Sequence, residues 1–165
     1  MTSITHATVA TGTNAGTGEI HKAEWNADHT VSLAAGKVFQ TADFTTSSTS
    51  FVDVTSCAVT ITTGAHRCLM MFSNAGGVTS GTIYVGLSID GTDVESGYAL
   101  VAENVSGVND VPLSYTYLTD VLSAASHTFQ LRVHGDGASI NLNTDTGAGF
   151  KRGRQFSVLE TLATS

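Results

Sequence analysis

Thr82-Ile83-Tyr84-Val85-Gly86-Leu87-Ser88-Ile89-Asp90-Gly91 alternates apolar and polar residues for eight positions and then breaks on Asp-Gly. On a pleated strand Ile83, Val85, Leu87 and Ile89 share one face, with Thr82, Tyr84, Gly86 and Ser88 on the other. A helix would scatter the same residues around its circumference, because its side chains repeat every 3.6 residues. Asp90 and Gly91 both tolerate the left-handed backbone that a two-residue hairpin turn requires. This stretch reads as a strand running into a tight turn.

The same period extends in both directions from it. Toward the C-terminus, Tyr98 to Ala102, Val111 to Leu122, His127 to Val133, Ala138 to Leu142 and Gln155 to Leu162 read as strands. Within His127 to Val133 the inward set is Phe129, Leu131 and Val133, and Thr128, Gln130 and Arg132 face out. Toward the N-terminus, Val38 to Phe44 reads as a strand and Thr45 to Ser50 as a polar loop. Phe51 to Val54, Cys57 to Thr62 and Cys68 to Phe72 read as strands as well. About eight to ten strands, with turn signals every ~8–14 residues and no long helical pattern, predict an all-β fold, best a jelly-roll β-sandwich.

Composition narrows the function. Of 165 residues, 41% are hydrophobic but only 13% are charged, about half the ~25% of an average globular chain. There are 25 Thr, 17 Ser and 17 Gly against one Pro, so the surface is hydroxyl-rich rather than ionic. With a mean hydropathy of +0.12 the chain can bury a core and does not read as disordered. No apolar run approaches the ~20 residues of a membrane span, and Met1 to His6 has neither the basic region nor the apolar stretch of a secretory signal. A net charge of −7 argues against binding nucleic acid or an anionic membrane. The balance favours a β-rich protein without catalysis or cofactor.

The first 35 residues are different. Ile4 to Gly18 is dense in Thr, Gly and Ala, and Glu19 to Ala27 has room for about two helical turns carrying Ile20, Ala23 and Trp25. Such a helix is too short to stand alone. Residues 1–35 therefore read as an arm ordered against a partner, and residues 36–165 as the folded knob.

Two cysteines cannot replace a core. Cys57 and Cys68 flank Thr62-Thr63-Gly64-Ala65, which reads as a hairpin turn. A turn centred on Gly64-Ala65 sets Cys57 opposite Phe72, too far from Cys68 for a bridge, and leaves two buried free thiols. A turn centred on Thr62-Thr63 would pair the two cysteines directly.

Glu24-Trp25-Asn26-Ala27-Asp28-His29-Thr30-Val31 resembles a segment near the N-termini of tail and fibre proteins of tailed bacteriophages. Ser50-Phe-Val-Asp-Val54 leading into Val59-Thr-Ile-Thr-Thr-Gly64, the Ile89-Asp-Gly-Thr92 turn, Ser126-His-Thr-Phe-Gln-Leu-Arg132 and Phe156-Ser-Val-Leu-Glu160 resemble small tumour-necrosis-factor-like or complement-C1q-like jelly-roll heads of phage virions. The resemblance covers nearly the whole chain. It implies a homotrimeric knob on the virion, assembled in the host cytoplasm and tethered by its arm to capsid, portal, collar or tail proteins. Ile20, Trp25, Asn26 and His29 are the anchoring candidates. No shaft separates arm from head, which favours a capsid decoration, head fibre, collar or short tail fibre over a long fibre. A receptor- or host-glycan-binding module at the tail tip is the alternative.

Candidate chemistry is sparse. His21, Glu24, Asp28 and His29 are the densest set of metal-ligand types, but capping and docking account for them without a metal. Asn141-x-Asn143-x-Asp145 and Asp90-Gly-Thr-Asp93-Val-Glu95 resemble pieces of calcium loops, yet the first has Arg152 where the bidentate glutamate belongs. No nucleophile elbow or phosphate-cradling loop is present, and a Ser–His–Asp set could only be assembled in space. Lys151, Arg152 and Arg154, with Arg132, are read as a basic surface patch for an acidic partner or an anionic glycan, or else as a solvated or neutralised loop. Tyr115 and Tyr117 share parity with Val111 and Leu113, which points to core or a trimer axis.

Overall fold

The computed structural model describes residues 33–78, 81–95, 99, 101–104, 108–142 and 153–162. The chain divides into Met1–Ser32 and Leu33–Ser165, and all the described residues belong to the second unit. The short helix over Glu19 to Ala27 and the anchoring set Ile20, Trp25, Asn26 and His29 lie outside them.

The described residues are all β, without a helix, and their strand pairs are antiparallel. In chain order the strands are β1 (Ala35–Gln40), β2 (Phe44–Thr46), β3 (Val52–Thr62), β4 (Arg67–Val78), β5 (Thr82–Ile89) and β6 (Thr92–Asp93). They continue as β7 (Val101–Asn104), β8 (Val108–Leu118), β9 (Ser126–Gly135), β10 (Ile140–Leu142) and β11 (Arg154–Thr161). One sheet runs β1-β11-β4-β10-β2 with β8 also on β4; the other runs β3-β9-β5-β6 with β7 also on β5. The inward residues of both sheets form one core. Cys57, Val59 and Ile61 from β3, Val85 and Leu87 from β5 and Phe129 and Leu131 from β9 meet Met70, Phe72, Leu113, Phe156 and Val158. Two amphipathic sheets bury their apolar faces on each other, which is a β-sandwich.

The hairpin at the end of β5 is as the sequence dictates. Asp90 and Gly91 have φ of 52° and 81°, and the two-residue loop pairs Ile89 with Thr92. Glycine also matters at Gly86, where an added Cβ would stand 2.7 Å from the Phe51 ring that lies over it.

Three expectations need correction. Thr62 to Ala65 is no hairpin turn: β3 pairs with β9, and β4 pairs with β11 and β8, so this segment crosses between sheets. Alternation had fixed which face of each strand is buried, but it carries no information on which strand lies alongside. The crossing is held by other segments, with Thr63 N donating to Ala125 O and Leu122 N to His66 O. Cys57 and Cys68 consequently belong to opposite sheets, and both are buried and free. Second, Val38 to Phe44 is not continuous, because residues 41–43 separate β1 from β2. Third, Phe51 to Val54 and Cys57 to Thr62 merge into β3 through a register shift between Asp53 and Ala58. There Ser56 takes a φ of 59°, uncommon for a residue with a Cβ.

Glu160 closes the unit where β1 begins. It has the inward parity of Phe156 and Val158 and is 3% exposed. Oε2 accepts from Ala34 N at 2.8 Å, while Oε1 accepts from Gly64 N and contacts His66 Nδ1 at 2.8 Å. The bond from Ala34 N, followed by those from His66 and Gly64, holds its carboxyl below the usual carboxylate range.

Candidate functional site

Arg154 is the most unusual side chain in the described unit. β11 turns Arg154, Phe156, Val158 and Glu160 inward, and Arg154 is 1% exposed. Its Nε donates to the Cys57 Sγ of the opposite sheet at 2.9 Å, whereas its Nη1 is buried without a hydrogen-bond partner. No carboxylate among the described residues pairs with it. Cys57 cannot supply the missing charge: burial raises its pKa, and the neighbouring guanidinium only partly offsets this, so the thiol stays protonated. Leaving a cation buried and unpaired costs several kcal/mol, a cost rarely kept for the fold alone.

Arg154 lines a cleft of about 330 Å³. The end of β1 contributes Gln40, the segment after it Ala42 and Asp43, β2 contributes Phe44 and Thr45, and β3 contributes Thr55 and Ser56. Arg154 is the one buried residue among these linings. The bulge makes the cleft. A regular strand would turn one of two consecutive residues inward, but here Thr55 and Ser56 are both exposed before Cys57 resumes the buried parity. The sequence held two signals for this site that parity alone could have disclosed. The apolar positions switch from even (Val52, Val54) to odd (Cys57, Val59, Ile61), and Arg154 shares the parity of Phe156.

Asp90, His127 and Ser123 come together in space. Asp90 Oδ2 is 2.7 Å from His127 Nδ1, and His127 Nε2 is 3.3 Å from Ser123 Oγ. Nε2 is closer still, 3.1 Å, to the Ser123 carbonyl oxygen, which only an N–H can satisfy. The hydrogen bond to Asp90 raises the His127 pKa, and the bond from Thr128 N, followed by that from His127, lowers the Asp90 pKa. The protonated imidazole thus sits between two acceptors, the Asp90 carboxylate at Nδ1 and the Ser123 carbonyl at Nε2. This arrangement is a clamp across the loop ahead of β9.

Two members of the predicted basic patch, Arg132 and Arg154, lie apart from each other. Arg154 is in the core, and Arg132 is on the other sheet, paired with Asp93 and donating to Phe51 O at 2.8 Å. Arg132 Nε is 3.0 Å from Asp53 Oδ1, within ion-pair reach though off the N–H line. Lys151 and Arg152 lie outside the described residues, as do His21, Glu24, Asp28, Asn143 and Asp145. Among the described residues no three His, Cys, Asp or Glu side chains gather as a metal site. Tyr115 and Tyr117 are half-buried and pack against the core.

The outer face of the first sheet is a second candidate surface. The registers align Ala35, Leu159, Leu69 and Leu118 in one row across β1, β11, β4 and β8. The next row is Lys37, Ser157, Met71 and Thr116, and the third is Phe39, Gln155, Ser73 and Ser114. Lys37 is the single charge in these three rows. Phe39 is 60% exposed and Leu118 50%.

No family model matches the chain, and no curated protein matches it. Among solved structures, a chain of the structure of infectious bursal disease virus, Gx strain, is similar at 12% identity with a TM-score of 0.40. The match covers 81% of this chain and 37% of that one.

Proposed function

We propose that this protein is a non-catalytic structural component of a tailed-phage virion: a trimeric jelly-roll knob displayed on the particle and tethered by residues 1–35. The observation that carries the reading is the outer face of the first sheet. Copies of a chain with net charge −7 repel one another over most of their surface. They can meet while desolvating little charge on three rows that present Leu118, Leu159, Met71 and Phe39 and carry Lys37 as their one ion. Strand orders β1-β11-β4-β8 and β3-β9-β5-β7 within the two sheets support the jelly-roll assignment. The number three, the phage particle and the anchoring role of Ile20, Trp25, Asn26 and His29 come from the sequence resemblance. Capsid decoration, head fibre, collar and short tail fibre all fit this description.

Native mass spectrometry at micromolar concentration tests the association. The wild-type chain should be a trimer, and Leu118→Asp should give a folded 17.0 kDa monomer. A wild-type monomer with its fold intact refutes the reading. Trp25→Ala should leave both the trimer and the melting temperature of the knob unchanged while abolishing incorporation into particles. The alternative role, glycan recognition, is favoured by one feature, the cleft at Arg154.

A further inference from the structure

We propose that the cleft around Arg154 binds a sugar acid, a single pyranose unit bearing a carboxylate, with the Arg154 guanidinium as the carboxylate's partner. This deepens the glycan-binding alternative and does not depend on trimer formation or on the virion assignment. Three observations converge on it. A buried guanidinium with Nη1 unpartnered has no counter-charge among the described residues, and a carboxylate is the group whose geometry fits it. The cleft of about 330 Å³ is at the small end of ligand sites, which suits one ring rather than a nucleotide or a folded partner. Its walls offer what a sugar ring needs: hydroxyls from Thr45, Thr55 and Ser56, a carboxylate acceptor in Asp43, and the apolar ring of Phe44.

The backbone supports the same assignment. Ser56 stands at a φ of 59° in the bulge, a conformation that a residue with a Cβ adopts at a cost. Its result is two adjacent hydroxyls at the cleft rather than one. An acidic peptide would also bring a carboxylate, but a peptide-binding cleft gains its affinity from apolar pockets or an open strand edge, and six of the eight lining residues here are polar.

Titration of the full-length protein with D-glucuronate, followed by NMR, tests this directly, with D-glucose, acetate and a tetraglutamate peptide as the comparison probes. Glucuronate should bind at least tenfold tighter than each of the other three. Arg154→Met should abolish that binding while keeping the melting temperature at or above wild type, because it removes an unpaired buried charge at similar volume. Should Arg154→Met fail to fold, Thr55→Val decides the matter; it changes one exposed hydroxyl and should weaken glucuronate several-fold at unchanged melting temperature. Absence of glucuronate binding overturns the proposal. Equal binding of glucose removes the role of the carboxylate, and equal binding of acetate removes that of the ring. Tighter binding of the peptide reassigns the cleft to protein recognition, which also overturns the proposal.

Discussion

Glu160→Ala should lower the melting temperature of the β-sandwich by about 10 °C. The carboxylate serves Ala34 N at 2.8 Å, Gly64 N and His66 Nδ1 at 2.8 Å, and thereby joins the start of β1, the crossing from β3 to β4, and β11. Truncation leaves two half-buried backbone N–H groups without an acceptor. An orphaned buried donor costs ~1–3 kcal/mol, and partial exposure places each of these near ~1–1.5 kcal/mol. The partly exposed His66 contact adds little, since ion pairs in reach of solvent contribute ~0–1 kcal/mol. The sum is about 3 kcal/mol, and a unit of this size loses roughly 3–4 °C per kcal/mol. Acid provides an independent check. The Glu160 pKa is depressed in the fold, so its contribution is complete above the ordinary carboxylate pKa and disappears as pH falls through the depressed value. Wild-type protein should therefore lose stability on acidification below about pH 4.5, and Glu160→Ala should lose less over the same interval. Differential scanning calorimetry across pH measures both effects. A melting temperature within 2 °C of wild type would show that solvent or a neighbouring group satisfies those amides and that the clamp is incidental.

Asp90→Asn should reduce stability by under about 1 kcal/mol near pH 6, the small value following from the half-exposed Asp90 side chain. The raised His127 pKa gives stability that is complete below the ordinary histidine value and lost as pH rises through the raised one. Urea titrations at pH 6 and pH 8 should accordingly show a decline for wild type and a smaller one for the variant, which keeps the Ser123 carbonyl contact. Gly86→Ala drives a methyl group against the Phe51 ring at 2.7 Å and should destabilise by roughly 1–2 kcal/mol, read as a lower urea midpoint. Native protein should react slowly with a thiol reagent, since burial pushes Cys68 up to about 11 and raises Cys57 as well; unfolding without reductant should release two thiols.

The parity of side chains was legible in the sequence, and their neighbourhoods were not. Ile83, Val85 and Leu87 are buried as their alternation requires, and Asp90-Gly91 forms the turn its residues favour. Cys57, Val59 and Ile61 are likewise buried on one parity, but β9 rather than β4 lies beside them. Pairing across a sandwich is decided by the fit of whole sheets, which a window of ten residues does not contain. Arg154 shows a different obstacle. In Lys151-Arg152-Gly153-Arg154 its charged neighbours suggest a solvated loop, while its alternation with Phe156 and Val158 carries the opposite and correct message. Asp90, Ser123 and His127 span two turns, and their meeting depends on a loop conformation that no local pattern encodes.

The pairing of β1 with β11 also has a mechanical consequence. Ala35 pairs with Leu159 and Gln40 with Arg154, so β1 begins at the end of the sheet where β11 finishes. A pull applied between Leu33 and Leu162 peels these strands apart one rung at a time and never loads all the rungs in shear. Peeling is the weaker geometry, and its resistance resides in whichever bond is strained first. That bond is held by Glu160, whose main-chain N–H reaches Ala34 O while its carboxylate grips Ala34 N. Under tension applied at Leu33, Glu160 therefore acts as the catch that must release before the first strand can be drawn off the sandwich.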